Sequence, residues 1–193
     1  MTSSPLISPA EAAAYGDLPA PASHSETELA ALLHLLTAPG TRIATVVVGH
    51  SRDSASRSAA AAFAETWRGL GRPPVLAVID WPESAASWLR AARRFTADEP
   101  DAWVVAAAPL GWAQMSRRLR HSTDWDPGRT YGFAALGDSR VPALAGAATL
   151  QGMRGATADG GTWTVDRGWV SHSPPPLHPL PPFRPTAHPH GTL

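Results

Sequence analysis

The stretch Thr41-Arg-Ile-Ala-Thr-Val-Val-Val-Gly-His-Ser-Arg-Asp-Ser54, with the Ala-rich run from Ala55 to Leu70 behind it, decides the fold. Ile43 to Val48 is short, uncharged and mostly β-branched, and it lacks the polar alternation of a half-solvated strand. It therefore reads as a strand covered on both faces, the middle of a parallel sheet. Gly49 to Ser54 turns polar at once and feeds a helix over 54–69, with Ala59, Phe63, Trp67 and Leu70 on one face and Gly69 and Gly71 suited to its end. In open α/β sheets ligands sit at such strand ends, because amide N–H groups and helix dipoles converge there.

Working outward, Ser25-Glu-Thr-Glu28 has the spacing of a capping box, and Leu29, Leu32, Leu33 and Leu36 form one helical stripe that Pro39-Gly40 stops. Downstream, Val75 to Ile79 reads as a second buried strand ended by Asp80-Trp81-Pro82. A helix capped by Ser84 then turns Ala85, Trp88, Leu89, Ala92 and Phe95 inward. Ala102 to Ala108 is a third strand, and Pro109-Leu-Gly-Trp112 opens a helix with Trp112, Met115 and Leu119 on one side. Thr130 to Leu136 is a fourth strand delivering Gly137-Asp138-Ser139, and a weaker helix covers 141–150. The alternation predicts an α/β fold: a single doubly wound domain with a mostly parallel four-stranded sheet and helices on both faces.

Beyond Gly152, residues 155–161 read as a loop. Residues 162–171 read as a β-hairpin turning at Asp166-Arg167-Gly168, with Trp163 and Trp169 packing across its strands. The expected organisation is a flexible N-terminal arm over 1–22, in which Pro9 to Tyr15 can form a helical turn, an α/β domain over 23–172, and a disordered Pro/His-rich tail over 173–193.

Composition narrows the function. The 16 basic residues, every one Arg, balance 16 acidic ones, so no basic face is available for nucleic acid, and Schiff-base chemistry is excluded with Lys. No Cys is present, which removes disulfides, thiolate nucleophiles and sulfur-ligated zinc. No run approaches the roughly 20 apolar residues of a membrane-spanning helix. Leu29 to Leu36 is interrupted by His34 and is no signal peptide, so a cytoplasmic location with no membrane partner is the expectation.

From about Ser23 to Gly155 the chain resembles the second lobe of a type 1 periplasmic binding protein, the branched-chain amino acid receptor family. The resemblance is carried by Ile43–Val48 with its turn, Phe63-Ala-Glu-Thr-Trp67, Glu99-Pro-Asp-Ala-Trp-Val-Val105, Met115-Ser-Arg-Arg-Leu-Arg120 and Leu144-Ala-Gly146 before Leu150-Gln-Gly152. It implies small-molecule binding without chemistry, in a cleft between two lobes, of which the sequence shows one. Gly49-His-Ser-Arg-Asp53 and Gly132-Phe-Ala-Ala-Leu-Gly-Asp138 are also similar to the sirohydrochlorin and cobalt chelatase family, which implies a metal-positioning role for His50; Gly111-Trp112 stands where that family has its second His.

These readings place the candidate ligand site on a shelf at the strand ends made of Ser51, Arg52, Asp80, Trp81, Trp112 and Asp138. Arg52 would pair a carboxylate, Asp80 an amine, and the indoles would stack on a ligand face. Gly-His-Ser-Arg-Asp53 also approaches the G-x-S-x-G nucleophile elbow but puts Asp53 where the last Gly belongs. Pro179-Leu-Pro-Pro-Phe-Arg184 matches a P-x-x-P-x-Arg ligand motif, and His172, His178, His188 and His190 are loosely spaced metal-ligand types. The expected function is a non-catalytic small-molecule, amino-acid-like binding lobe with no catalytic residue, metal or cofactor, completed by a homodimer or a separately encoded lobe. A chelatase-like enzyme using His50 and a non-binding scaffold or degenerate remnant are the alternatives.

Overall fold

A computed structural model of the chain describes residues 6–85 and 87–177. In order, it contains α1 (Pro9–Ala13), α2 (Glu26–Thr37), β1 (Val46–Ser51), α3 (Ser54–Gly69), β2 (Ala77–Trp81), α4 (Leu89–Thr96), β3 (Ala102–Ala106), α5 (Pro109–Ser122), β4 (Thr130–Gly132), α6 (Arg140–Ala145), β5 (Arg154–Ala156), β6 (Thr162–Asp166) and β7 (Trp169–Ser173). One sheet holds all seven strands in the order β2-β1-β3-β4-β5-β6-β7. The first five are parallel, and β6 and β7 extend them antiparallel.

The doubly wound α/β architecture is as expected, and the strand count is larger. Arg154-Gly-Ala156, the last two residues of which were expected in a loop, pairs Tyr131 with Arg154 and Gly132 with Gly155. A three-residue strand containing Gly has too short a pattern to read, and the open edge of β4 makes it one. The expected hairpin then joins the same sheet through β6.

Period-two alternation assigns the two faces. Val46 and Val48, with Val104 and Ala106, join Leu32, Leu33 and Leu36 of α2 and Ala59, Phe63 and Trp67 of α3. Val47, with Ile79, Trp81, Trp103 and Val105, joins Phe95 of α4 and Trp112, Met115 and Leu119 of α5. Gly49 also has a packing role: a Cβ there would lie 2.5 Å from the Trp81 ring and 2.7 Å from Phe95, so only glycine lets that indole cross β1. At the opposite end, Asp101 Oδ2 accepts from Ala44 N (2.9 Å), Thr45 N (2.8 Å) and Thr45 Oγ1 (2.9 Å), tying the start of β1 to the start of β3.

Several boundaries differ from the sequence reading. β1 continues to Ser51 and β2 to Trp81, because pairing with neighbours carries both strands into their polar ends. Ser84 is not the N-cap of α4, which starts at Leu89 behind Trp88, whose indole Nε1 donates to Pro82 O at 3.1 Å. The fourth strand stops at Gly132 and continues as a single 3-10 turn over Ala134–Leu136. The helix expected over 141–150 is the shorter α6, terminated by Gly146 at φ 97°. Trp163 and Trp169 do not pack together: they pair with His172 and Asp166, and Trp169 is 71% exposed while Trp163 is buried.

Part of the stretch expected as a loose arm lies along α5 and α6. The α1 turn has a capping box from Ser8 and Glu11, and Ile7 joins the α5 side of the core. Tyr15 OH donates to Ala143 O (3.3 Å) and Arg140 Nη1 to Asp17 O (2.8 Å). The Pro-x-x-Pro motif at 179–184 and His178, His188 and His190 lie outside the described residues.

A candidate ligand cavity at the rim of the sheet

The polar strand ends do gather along one rim, and the expected shelf residues meet different fates there. Ser51, the last residue of β1, is fully buried, and its Oγ accepts from Ala108 N at 3.0 Å, fastening β1 to the end of β3. Arg52 Nε and Asp80 Oδ2 pair with each other at 2.5 Å on the surface, 60% and 44% exposed. The Arg52 hydrogen bond holds the Asp80 carboxyl below its usual range. Trp81 and Trp112 are core residues rather than walls of a shelf: both are 0% exposed, with ring centroids 5.9 Å apart. Burying two large indoles is worth more than leaving them on a rim, and Gly49 provides the room. Asp138 is taken by Arg140, whose Nη2, Nε and backbone N–H all donate to it, which lowers its pKa.

The same side of the rim holds a residue the sequence did not single out. Glu83, in the loop after β2, reaches the first turn of α5, where its Oε2 accepts from Gly111 N at 2.9 Å while Gln114 Nε2 donates to its backbone O at 3.1 Å. Burial raises its pKa, opposed by the neighbouring Ser51 hydroxyl and the Gly111 N–H. This half of the rim is therefore filled.

The other half is open. Beside the ends of β1, β3 and β4, on the α2–α3 face, lies a cavity of about 350 Å³. Ala55, Ser56 and Ala59 from the start of α3, Ala106 and Ala107 from the end of β3, and Phe133, Ala134 and Ala135 after β4 form its wall. Residues 19–24 run across it as a strap. His24 of the strap meets Phe133 edge to face, ring centroids 6.2 Å apart. The strap is fastened where Ser25 Oγ donates to Ala158 O at 2.6 Å. In the strand order 2-1-3-4-5 the direction of winding reverses between β1 and β3, the place where sheets of this type bind ligands.

Two wall groups are left over. Ser56 is 2% exposed and its Oγ has no hydrogen-bond partner among the described residues, nor has the buried Nδ1 of His24. Buried polar atoms are ordinarily paired; Trp81 Nε1, Trp112 Nε1 and Glu83 Oε1 on the filled half are unpaired as well, so it is their place in a cavity wall that makes Ser56 Oγ and His24 Nδ1 candidates to meet a water or ligand atom. Of the six expected site residues only Asp138 reaches this cavity. The signal that could have found it is the run of alanines at three successive strand ends, where the other half of the rim carries tryptophan.

His50 turns back on its own strand, with Nδ1 2.8 Å from Ser51 O. Among the described residues no three His, Asp or Glu gather as a metal site, and no helix is long and apolar enough to cross a membrane.

The fold is that of the type 1 periplasmic binding proteins. A substrate-binding periplasmic protein from Ralstonia solanacearum superposes with a TM-score of 0.60 over 80% of this chain and 43% of its own, at 20% identity. An extracellular ligand-binding receptor from Verminephrobacter eiseniae gives 0.56 over 66% of this chain and 35% of its own, at 16% identity. A Rhodospirillum rubrum protein assigned to branched-chain amino acid ABC transport gives 0.52 over 58% and 32%, at 23% identity. No family model and no curated protein matches the chain. The chain thus spans between 32% and 43% of the length of these three periplasmic-binding-protein-fold relatives.

Proposed function

We propose that the chain is a non-catalytic small-molecule binding lobe, with its ligand in the cavity between the start of α3, the end of β3 and the strap 19–24. The observation that carries this reading is the unpaired, buried Ser56 Oγ in the wall of a cavity large enough for a small organic molecule, at the winding reversal of the sheet. The periplasmic-binding-protein fold supports a binding role, and the relatives' descriptions make an amino-acid-like ligand the first class to screen. A second copy or a separately encoded lobe closing over the strap would bury more of the ligand and raise affinity.

Filling the cavity tests this. Ala55→Phe is expected to abolish binding of any small-molecule hit found by ligand-observed NMR, while Arg52→Ala on the filled half leaves the hit unchanged. Loss of binding in Arg52→Ala with retention in Ala55→Phe would sink the proposal.

A further inference from the structure

We infer that the chain has a second binding site, at the amino-terminal ends of the strands, for a small oxyanion of charge about −2: inorganic phosphate or a phosphate monoester. This site lies at the opposite end of the sheet from the rim cavity and does not depend on it. Arg42 before β1, Asp101 before β3, Arg129 before β4 and Arg154 at the start of β5 line a cavity of about 430 Å³ there, with Tyr131 of β4. Three guanidiniums thus share the wall with one carboxylate. That carboxylate and one of the cations are occupied. Asp101 Oδ2 accepts three hydrogen bonds from Ala44 and Thr45. Arg129 lies beside Asp101, donates from Nη1 to Pro100 O at 3.2 Å, and has Asp126 Oδ2 3.5 Å from its Nε.

The other two cations pair with no carboxylate among the described residues. Arg42 makes no hydrogen bond there either. Arg154 donates Nη2 to Gly128 O at 3.1 Å and rests over the Tyr131 ring, 5.4 Å from its centroid, because the parallel register sets these two residues side by side on one face of the sheet. Tyr131 is 5% exposed, and its hydroxyl has no hydrogen-bond partner among the described residues. The carbonyl end of α2, which would repel an anion, is covered: Thr41, also in the wall, donates from Oγ1 to Leu36 O (3.0 Å) and Ala38 O (2.8 Å). Arg42 and Arg154 therefore leave a charge of about +2 at the cavity, and a tetrahedral oxyanion has enough acceptors for both guanidiniums and the Tyr131 hydroxyl at once. A monocarboxylate brings less charge and fewer acceptors.

Inorganic phosphate, glycerol 2-phosphate and acetate, titrated into the full chain at neutral pH and constant ionic strength and followed by backbone amide NMR shifts, test the site. Both phosphates are expected to give saturable shifts at Arg42, Gly128, Arg129 and Arg154, with acetate at least about tenfold weaker. Tighter binding of the ester supports an organic phosphate as the ligand, and tighter binding of the inorganic ion supports free phosphate. Acetate binding as tightly as either overturns the dianion assignment, and no saturable shift at those signals overturns the site. Arg42→Gln and Arg154→Gln are each expected to weaken phosphate about tenfold, whereas Arg90→Gln, which removes the same charge from the exposed surface of α4, leaves it within about twofold. Equal losses in all three variants mean diffuse charge attraction and overturn the site as well. Tyr131→Phe keeps the buried ring and is expected to weaken phosphate about fivefold; unchanged affinity overturns the role given to its hydroxyl.

Discussion

The two halves of the rim are built on the same sheet, one residue apart in the pleat, and side-chain size separates them. On the α4–α5 face Trp81, Trp112 and Trp125 form a continuous ring-to-ring cluster, with centroids 5.9 and 5.7 Å apart, and Glu83 closes the start of α5. On the α2–α3 face the corresponding level is Ala55, Ala59, Ala106 and Ala134, and a cavity remains. Polar residues at strand ends do not by themselves make a site. Small ones beside them leave room for a ligand, and large apolar ones take that room for the core.

The largest effect should come from making the filled half resemble the open one. Trp112→Ala is expected to cost about 3–5 kcal/mol in denaturant unfolding, as a cavity replaces a fully buried indole. A cost below about 1 kcal/mol would mean that the cluster is not tightly packed.

Asp101, at the opposite end of the strands, sharpens the comparison, because it supports both halves through β1 and β3. Asp101→Ala should cost about 2 kcal/mol through loss of three hydrogen bonds to one carboxylate oxygen. Those backbone and hydroxyl donors at Thr45 and Ala44 lower its pKa from 3.8. Its contribution is therefore complete above 3.8 and is lost as pH falls through the lowered value, a dependence that Asp101→Ala should remove from an acid-unfolding curve.

Glu83 has the opposite sign. Burial raises its pKa above 4.5, so the native state binds the extra proton, and stability declines as pH rises from 4.5 through the folded value. Glu83→Gln keeps an acceptor for Gly111 N and should stabilise the protein by about 1 kcal/mol at neutral pH, with no gain below 4.5. A uniform gain at all pH values would remove the titration as its cause. The smallest effect belongs to the exposed Arg52–Asp80 pair, where Arg52→Ala should change stability by no more than about 0.5 kcal/mol.

The fold was legible in residues 43–48, in the capping box at Ser25, and in the heptad-like leucines of α2, because those patterns depend on neighbours in sequence. Arg154-Gly-Ala156 was not, since its strand exists only through the edge of β4. The strand-to-helix turn at Gly49 to Ser54 marked the rim where the strand ends gather, while five of the six residues expected to form a site there lie outside the cavity. Which half is open depends on where Trp81 and Trp112 pack and on a strap from residues 19–24, contacts between segments that no local pattern encodes.

The most direct test is a ¹H–¹⁵N NMR titration of the full chain with a small-molecule hit from the ligand screen, resolving backbone amides and indole Nε1–H signals together. We expect shifts concentrated at Ala55, Ser56, Ala134 and Ala158, with the Trp81 and Trp112 indoles unmoved. Movement of those two indoles with the cavity amides stationary would place the ligand on the filled half and contradict the account.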